Sequence, residues 1–206
     1  MFRLSALLAA ITLSLGCARQ VVEARDLAAS TDAVEIYASF LDGWAGKEKD
    51  PINVASRLEA LSSNDLKKFS NCAYEDGKLR ELSVESVDDL TSSLGKLSYV
   101  HLVDPRKWKP RDPGDLISRG KTIESAVGEG IASGLLTFSA IAFDPSRETA
   151  MFTYSFVCGA LCGNGGTIKF KKVRGKWVQA ENRCERWVSH ARITRSTISS
   201  QPVTAV

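Results

Sequence analysis

Tyr-Ser-Phe-Val-Cys-Gly-Ala-Leu-Cys-Gly-Asn-Gly-Gly, residues 154–166, decides how the second half of this chain folds. Gly159, Gly163, Gly165 and Gly166 allow positive φ and close backbone approach. On the N-terminal side, residues 149–158 alternate, with Phe152, Tyr154 and Phe156 on one face, the period-2 pattern of a strand. On the other side, residues 167–173 read as a second strand, with Ile168, Phe170 and Lys172 on one face. The stretch therefore reads as a bend between strands, stapled by Cys158–Cys162, with glycines present for backbone geometry. A phosphate-cradling loop would run into a helix and carry a placed lysine. A thiol redox site would space its cysteines C-x-x-C. A zinc site from Cys158, Cys162, Cys184 and His190 lacks the usual knuckle spacings.

Working outward, residues 135–143 alternate and are rich in β-formers, and Asp144-Pro145-Ser146-Arg147 is a turn. Arg174-Gly175-Lys176 turns into Trp177-Val178-Gln179, and a last strand runs to Trp187-Val188-Ser189. The first half is helical in pattern. Ser30-Thr31-Asp32 offers N-caps, with Glu35 completing a capping box, and Val34, Tyr37, Leu41 and Trp44 share one face. Val54, Leu58 and Leu61 suggest a second helix. Ser63-Asn64-Asp65 caps a third carrying Leu66, Phe69 and Cys72, and residues 86–95 suggest a fourth. Residues 97–103 are β-like, with Tyr99 and His101 on one face. From 104 to 134, prolines and glycines dissolve the pattern into a long irregular segment with a helical turn near 122–127. The expected fold is α+β: N-terminal helices followed by an antiparallel β-meander of about four to five strands. The expected organisation is a signal peptide at 1–16, a tether at 17–29, one domain at 30–192 and a disordered tail at 193–206.

The N-terminus sets the compartment. Arg3 precedes an apolar run from Leu4 to Gly16, too short for a spanning helix. Leu13-Ser14-Leu15-Gly16-Cys17 approximates a lipobox, which makes Cys17 the expected lipidation site. Ala18 and Arg19 carry no acidic retention signal, so the outer membrane is the expected destination in a two-membrane bacterium. Ordinary cleavage after Val22-Glu23-Ala24 is the competing reading. Five cysteines are present. Setting Cys17 aside leaves an even set, which in an exported protein forms disulfides. The favoured pairing is Cys158–Cys162 and Cys72–Cys184. The second pair would close a loop of roughly 110 residues, worth about 4–5 kcal/mol in the chain-entropy model.

A net charge of +3 with interleaved acids gives no reason to expect nucleic-acid binding. Lys169, Lys171, Lys172, Arg174 and Lys176 read as a solvated basic edge, or as a weak attraction to anionic headgroups or wall polymers. No G-x-S-x-G elbow or H-E-x-x-H pair exists. Asp88 and Asp89 are adjacent, so on a helix they do not face each other. No metal or cofactor is expected.

Residues 135–190 resemble a group of uncharacterised exported bacterial proteins and lipoproteins. These carry a CGxLCGxGG bend between two strands, a basic turn ending GKW and a terminal WxS. Cys72 and Cys184 are additions to that pattern, and the resemblance implies no function. The expected function is a non-catalytic cell-envelope protein, tethered to the membrane or periplasmic, that binds an envelope protein or cell-wall polymer. The alternative is an envelope hydrolase or other enzyme with dispersed active-site residues. In that case the 104–134 segment would be a lid, with His101 or Asp115 near it.

Overall fold

A computed structural model describes residues 31–73, 82–85, 93–160, 162–180, 184 and 186–189. Cys17, Asp88, Asp89 and His190, with the expected signal peptide and tail, lie outside them.

Helix α1 spans 31–45. Strand β1 (Ile52–Ala55), helix α2 (Ser63–Ala73), strand β2 (Ser83–Glu85) and strand β3 (Val100–Val103) follow. Helices α3 (Pro113–Ser118) and α4 (Ile123–Ala132) precede strands β4 (Leu135–Phe138), β5 (Ile141–Phe143), β6 (Thr149–Gly159), β7 (Cys162–Val173), β8 (Lys176–Gln179) and β9 (Arg186–Val188). The class is α+β, but the sheet is larger than the expected meander and is mixed. Among the described residues it has nine strands, and β1 pairs in parallel with both β3 and β4. Parallel neighbours are joined by long crossovers, so no local turn announces them. Ile52–Ala55, taken with the Val54–Leu58–Leu61 spacing for part of a helix, is the strand that makes this join.

The β6–β7 hairpin is the spine. Its register runs from Thr149↔Lys171 to Gly159↔Cys162, with an irregularity between Val157 and Gly159. The other edge of β6 is shared by β4 and β5. β7 carries β8 at one end and β9 at the other. The β7–β8 turn puts Arg174 at φ 51° and Gly175 at φ 79°, the two positive angles of a type I′ hairpin.

The first face of the sheet is sealed by α1. Ile36, Tyr37, Phe40 and Leu41 are buried against Phe138, Phe152, Phe156, Ile168 and Phe170. Ring centroids of Tyr37 and Phe152 lie 4.9 Å apart, and those of Trp44 and Tyr154 5.5 Å. The Tyr37 hydroxyl donates to the Ser139 carbonyl at 2.6 Å, and burial pushes its pKa up. Asp32 makes no capping box. Its carboxylate accepts from Trp177 Nε1 at 2.8 Å and Lys172 Nζ at 3.1 Å. Burial opposes its charge, but those two donors outweigh it and hold the pKa below the usual value.

The 104–134 segment is ordered as two helices and tied down. Asp112 caps α3, accepting from Gly114 N–H at 2.8 Å, with Pro113 in the first turn. Thr122 caps α4. Trp108 Nε1 donates to the Ser133 carbonyl at 2.8 Å. Asp112 also accepts from Ala160 N–H at 2.5 Å, joining the segment to the glycine bend.

Candidate functional site

Alternation along β6 sends Thr153 and Ser155 to the second face of the sheet. In register beside them, β4 contributes Thr137 opposite Ser155, and β7 contributes Thr167 opposite Thr153. Helix α2 covers only one end of this face. There Phe69 packs with Ala142 and Met151, flanked by Leu61, Leu66 and Cys72. Beyond that end no described element covers the face, and a cleft of about 270 Å³ lies on the hydroxyl patch. Glu59, Asp65 and Lys68 line it on the α2 side, and Trp187 lines it on the β9 side.

Two devices position Trp187. It stands opposite Gly165 on β7, and its indole lies against the backbone there. A Cβ at Gly165 would overlap the indole ring, and one at Gly163 would come within 3.6 Å of it. Ser189 then fastens the strand, donating both its N–H (2.9 Å) and its hydroxyl (3.0 Å) to the Gly163 carbonyl. The glycines and the terminal WxS are thus one device, in which missing side chains make a seat for an aromatic ring. Gly159 serves the bend itself: its φ is 152°, and a Cβ there would meet Asp112 and Pro113. Gly166 pairs with Tyr154 and Arg186 and lines the cleft.

The cysteines brace both ends. Cys158 and Cys162 form one disulfide, Cα atoms 5.0 Å apart, across the bend between β6 and β7. Cys72 and Cys184 form the other, Cα atoms 5.6 Å apart, linking α2 to the approach to β9. These are the pairs favoured from sequence. The Cys72–Cys184 link joins the two walls of the cleft.

The polar groups of the cleft differ in their commitments. Asp65 is engaged: its carboxylate accepts from the Ser62 hydroxyl at 2.5 Å and the Ser62 N–H at 2.9 Å. The first of these bonds is the main reason its pKa sits below the usual range. Thr137 donates to the Ser155 carbonyl at 3.3 Å. Among the described residues, the Thr153, Ser155 and Thr167 hydroxyls, the Glu59 carboxylate and the Trp187 indole N–H have no partner. Thr167 is only 7% exposed. A buried hydroxyl without a hydrogen bond costs about 1–3 kcal/mol, which makes Thr167 the group on the cleft floor with most to gain from a partner.

Other candidates fall elsewhere. His101 is exposed on edge strand β3, opposite Asn53, and is not among the residues lining the cleft beside Trp187. Asp115 is exposed in the first turn of α3. The expected basic edge is divided. Lys169 is buried, with Nζ 3.4 Å from the Cys72 carbonyl, and Lys172 bonds Asp32. Among the described residues, Lys171, Arg174 and Lys176 of that set are not engaged this way. Among the described residues, no three His, Cys, Asp or Glu gather as metal ligands, and no helix is long and apolar enough to cross a membrane. A second, apolar recess of about 450 Å³ lies between Trp44, Ile131 and Phe156. Neither a protein-family model, nor a curated protein, nor a solved structure matches this chain.

Sequence reasoning found Trp187 and the glycines as a motif but missed the cleft. Its lining comes from five separated stretches, and no local spacing brings them together. The signal available was the odd-numbered polar set on β6, Thr153 and Ser155, beside Thr167 on β7.

Proposed function

We propose that this chain is a non-catalytic cell-envelope domain, exported and held to the membrane through a lipid on Cys17, that binds a wall component or partner in the cleft beside Trp187. The observation that carries the reading is the unpartnered set lining one cleft beside Trp187: a buried Thr167 hydroxyl, the Thr153 and Ser155 hydroxyls and a Glu59 carboxylate. Concave sites with a few convergent polar groups beside an aromatic are the usual form of ligand pockets. Two disulfides suit an oxidising compartment outside the cytoplasm.

The hydrolase alternative has one observation in its favour, the presence of two carboxylates, Glu59 and Asp65, in the same cleft. Asp65 is already spent on Ser62, which leaves a single uncommitted carboxylate where glycoside chemistry uses a pair.

The test is co-sedimentation of the full mature protein with purified cell-wall sacculi and envelope membranes. Retention by wild type and loss in Trp187→Ala, with an unchanged circular dichroism spectrum, supports the reading. Equal retention of both proteins sinks it, and release of soluble fragments dependent on Glu59 establishes the hydrolase. Mass spectrometry of the mature N-terminus tests the anchor: an acylated Cys17 is expected, and a mature chain starting at Arg25 contradicts it.

A further inference from the structure

The cleft combines two surfaces that are seldom wanted together. One wall is the apolar face of an indole, 44% exposed at Trp187 and held against the sheet by Gly165. The floor is hydroxyl: Thr137, Thr153, Ser155 and Thr167, with Glu59 as an acceptor at the rim. A ligand that satisfies both has a flat C–H face and a perimeter of hydroxyl groups. We infer that the cleft seats one ring of a saccharide, stacked on Trp187 with its hydroxyls turned to the threonine floor. This rests on the reading of the cleft as the binding site and adds the class of ligand.

Other chemistries fit less well. An anion would meet Glu59 and Asp65 against the single cation Lys68. An aliphatic chain would leave the Thr167 hydroxyl unpaired, at the cost that an unmade buried hydrogen bond carries. An extended peptide joins a sheet at its edge, whereas the floor here is the face of β4, β6 and β7, whose backbone groups are already paired with one another. The volume of about 270 Å³ lies just under the roughly 300–1,000 Å³ of drug-sized pockets, which suits one ring of a longer glycan with its neighbours outside. Tryptophan suits the wall because it offers a broad apolar body and a polar N–H at its edge.

The Cys72–Cys184 link gives the site its rigidity. It fixes α2, which carries Asp65 and Lys68, to the chain entering β9, which carries Trp187. A cleft built before the ligand arrives loses less freedom on binding.

The experiment titrates the full mature protein with a β-1,4-linked N-acetylglucosamine tetramer, following tryptophan fluorescence and calorimetry, beside sacculus co-sedimentation. The expected result is saturable binding, weakened at least tenfold in Trp187→Ala, largely kept in Trp187→Phe, and weakened several-fold in Thr167→Val. Trp187→Phe keeps a ring over Gly165, so it guards against loss of fold in the alanine variant. Sacculi retained in a Trp187-dependent way, with no response to the tetramer and no competition from it, would leave the cleft as the site and overturn the saccharide assignment. Tetramer binding indifferent to Trp187 and Thr167 would overturn the placement. No binding to tetramer or sacculi would overturn both the ligand class and the proposed function.

Discussion

The two faces of the β6–β7 hairpin come from the same residues in alternation, yet they do opposite things. Phe152, Tyr154 and Phe156 point at α1 and pack among the rings of Tyr37, Phe40 and Trp44. Thr153 and Ser155 point away, towards a space that α2 leaves uncovered. The first face makes its contacts within the chain. The second ends in the Thr153, Ser155 and Thr167 hydroxyls, which make none among the described residues. On the proposed reading, stability and binding are separated by one step along a strand, so substitutions a single residue apart should have different signatures.

The largest effect is expected on the sealed face. Phe152→Ala should lower unfolding free energy by about 3–5 kcal/mol in a denaturant titration, because it removes the ring that Tyr37, Phe40 and Phe138 surround. Equal costs for Phe152→Ala and Thr153→Ala would erase the contrast between the faces.

Next in size is the brace between the walls of the cleft. Cys184→Ser should cost roughly 2–5 kcal/mol, since the bond closes a sequence separation of 112 residues. It should also weaken binding, because the chain leading to Trp187 loses its attachment to α2. Disulfide mapping of the wild type checks the premise: a bond from Cys72 to Cys158 or Cys162 would contradict the pairing.

Gly165→Ala should cost about 1–3 kcal/mol, as an added methyl group overlaps the Trp187 indole. The informative readout is the tryptophan emission, which should shift as the ring is lifted from the sheet. Gly175→Ala is the contrast: it carries a positive-φ cost, which Gly165→Ala does not, but stands in open space with no ring to displace.

The smallest effect is electrostatic. The Ala160 N–H, then those of Asp115 and Gly114, hold the Asp112 carboxyl below the ordinary carboxylate range. A depressed folded value means that its contribution is in place above the unfolded pKa of about 3.9 and is lost as pH falls through the folded value. The protection of the Ala160 amide, its exchange rate relative to the intrinsic rate at each pH, should therefore fall below about pH 4 in wild type, and be less sensitive to acid in Asp112→Asn. Protection that is flat through this range would separate the 104–134 segment from the bend.

How much of this was legible follows from the range of the interactions. The β6–β7 hairpin was readable because alternation, glycines and both cysteines sit within a few residues of one another. Helix α2 was readable from its Ser63-Asn64-Asp65 start and the spacing of Leu66 and Phe69. The irregular reading of 104–134 gave too much weight to prolines. Asp112-Pro113 is a helix start, a capping carboxylate followed by the one position where proline is favoured. Ile52–Ala55 was lost to helical spacing because its partners, Val100–Val103 and Leu135–Leu136, are remote and parallel. Trp187 stood out as a motif residue, but only the register of β9 against β7 places it over Gly165. Glu59 and Thr137 carried no signal at all.

The most direct measurement of the division between the faces is Thr167→Val, which keeps the shape of the side chain and removes the one buried hydroxyl on the cleft floor without a partner among the described residues. If that hydroxyl is held for a ligand, the substitution removes an unpaired polar group from the empty protein, so unfolding free energy should stay level or rise by about 1 kcal/mol while saccharide and sacculus binding weakens several-fold. A variant that loses stability and binds as well as wild type would contradict the account, and would return Thr167 and the second face to the structure of the sheet alone.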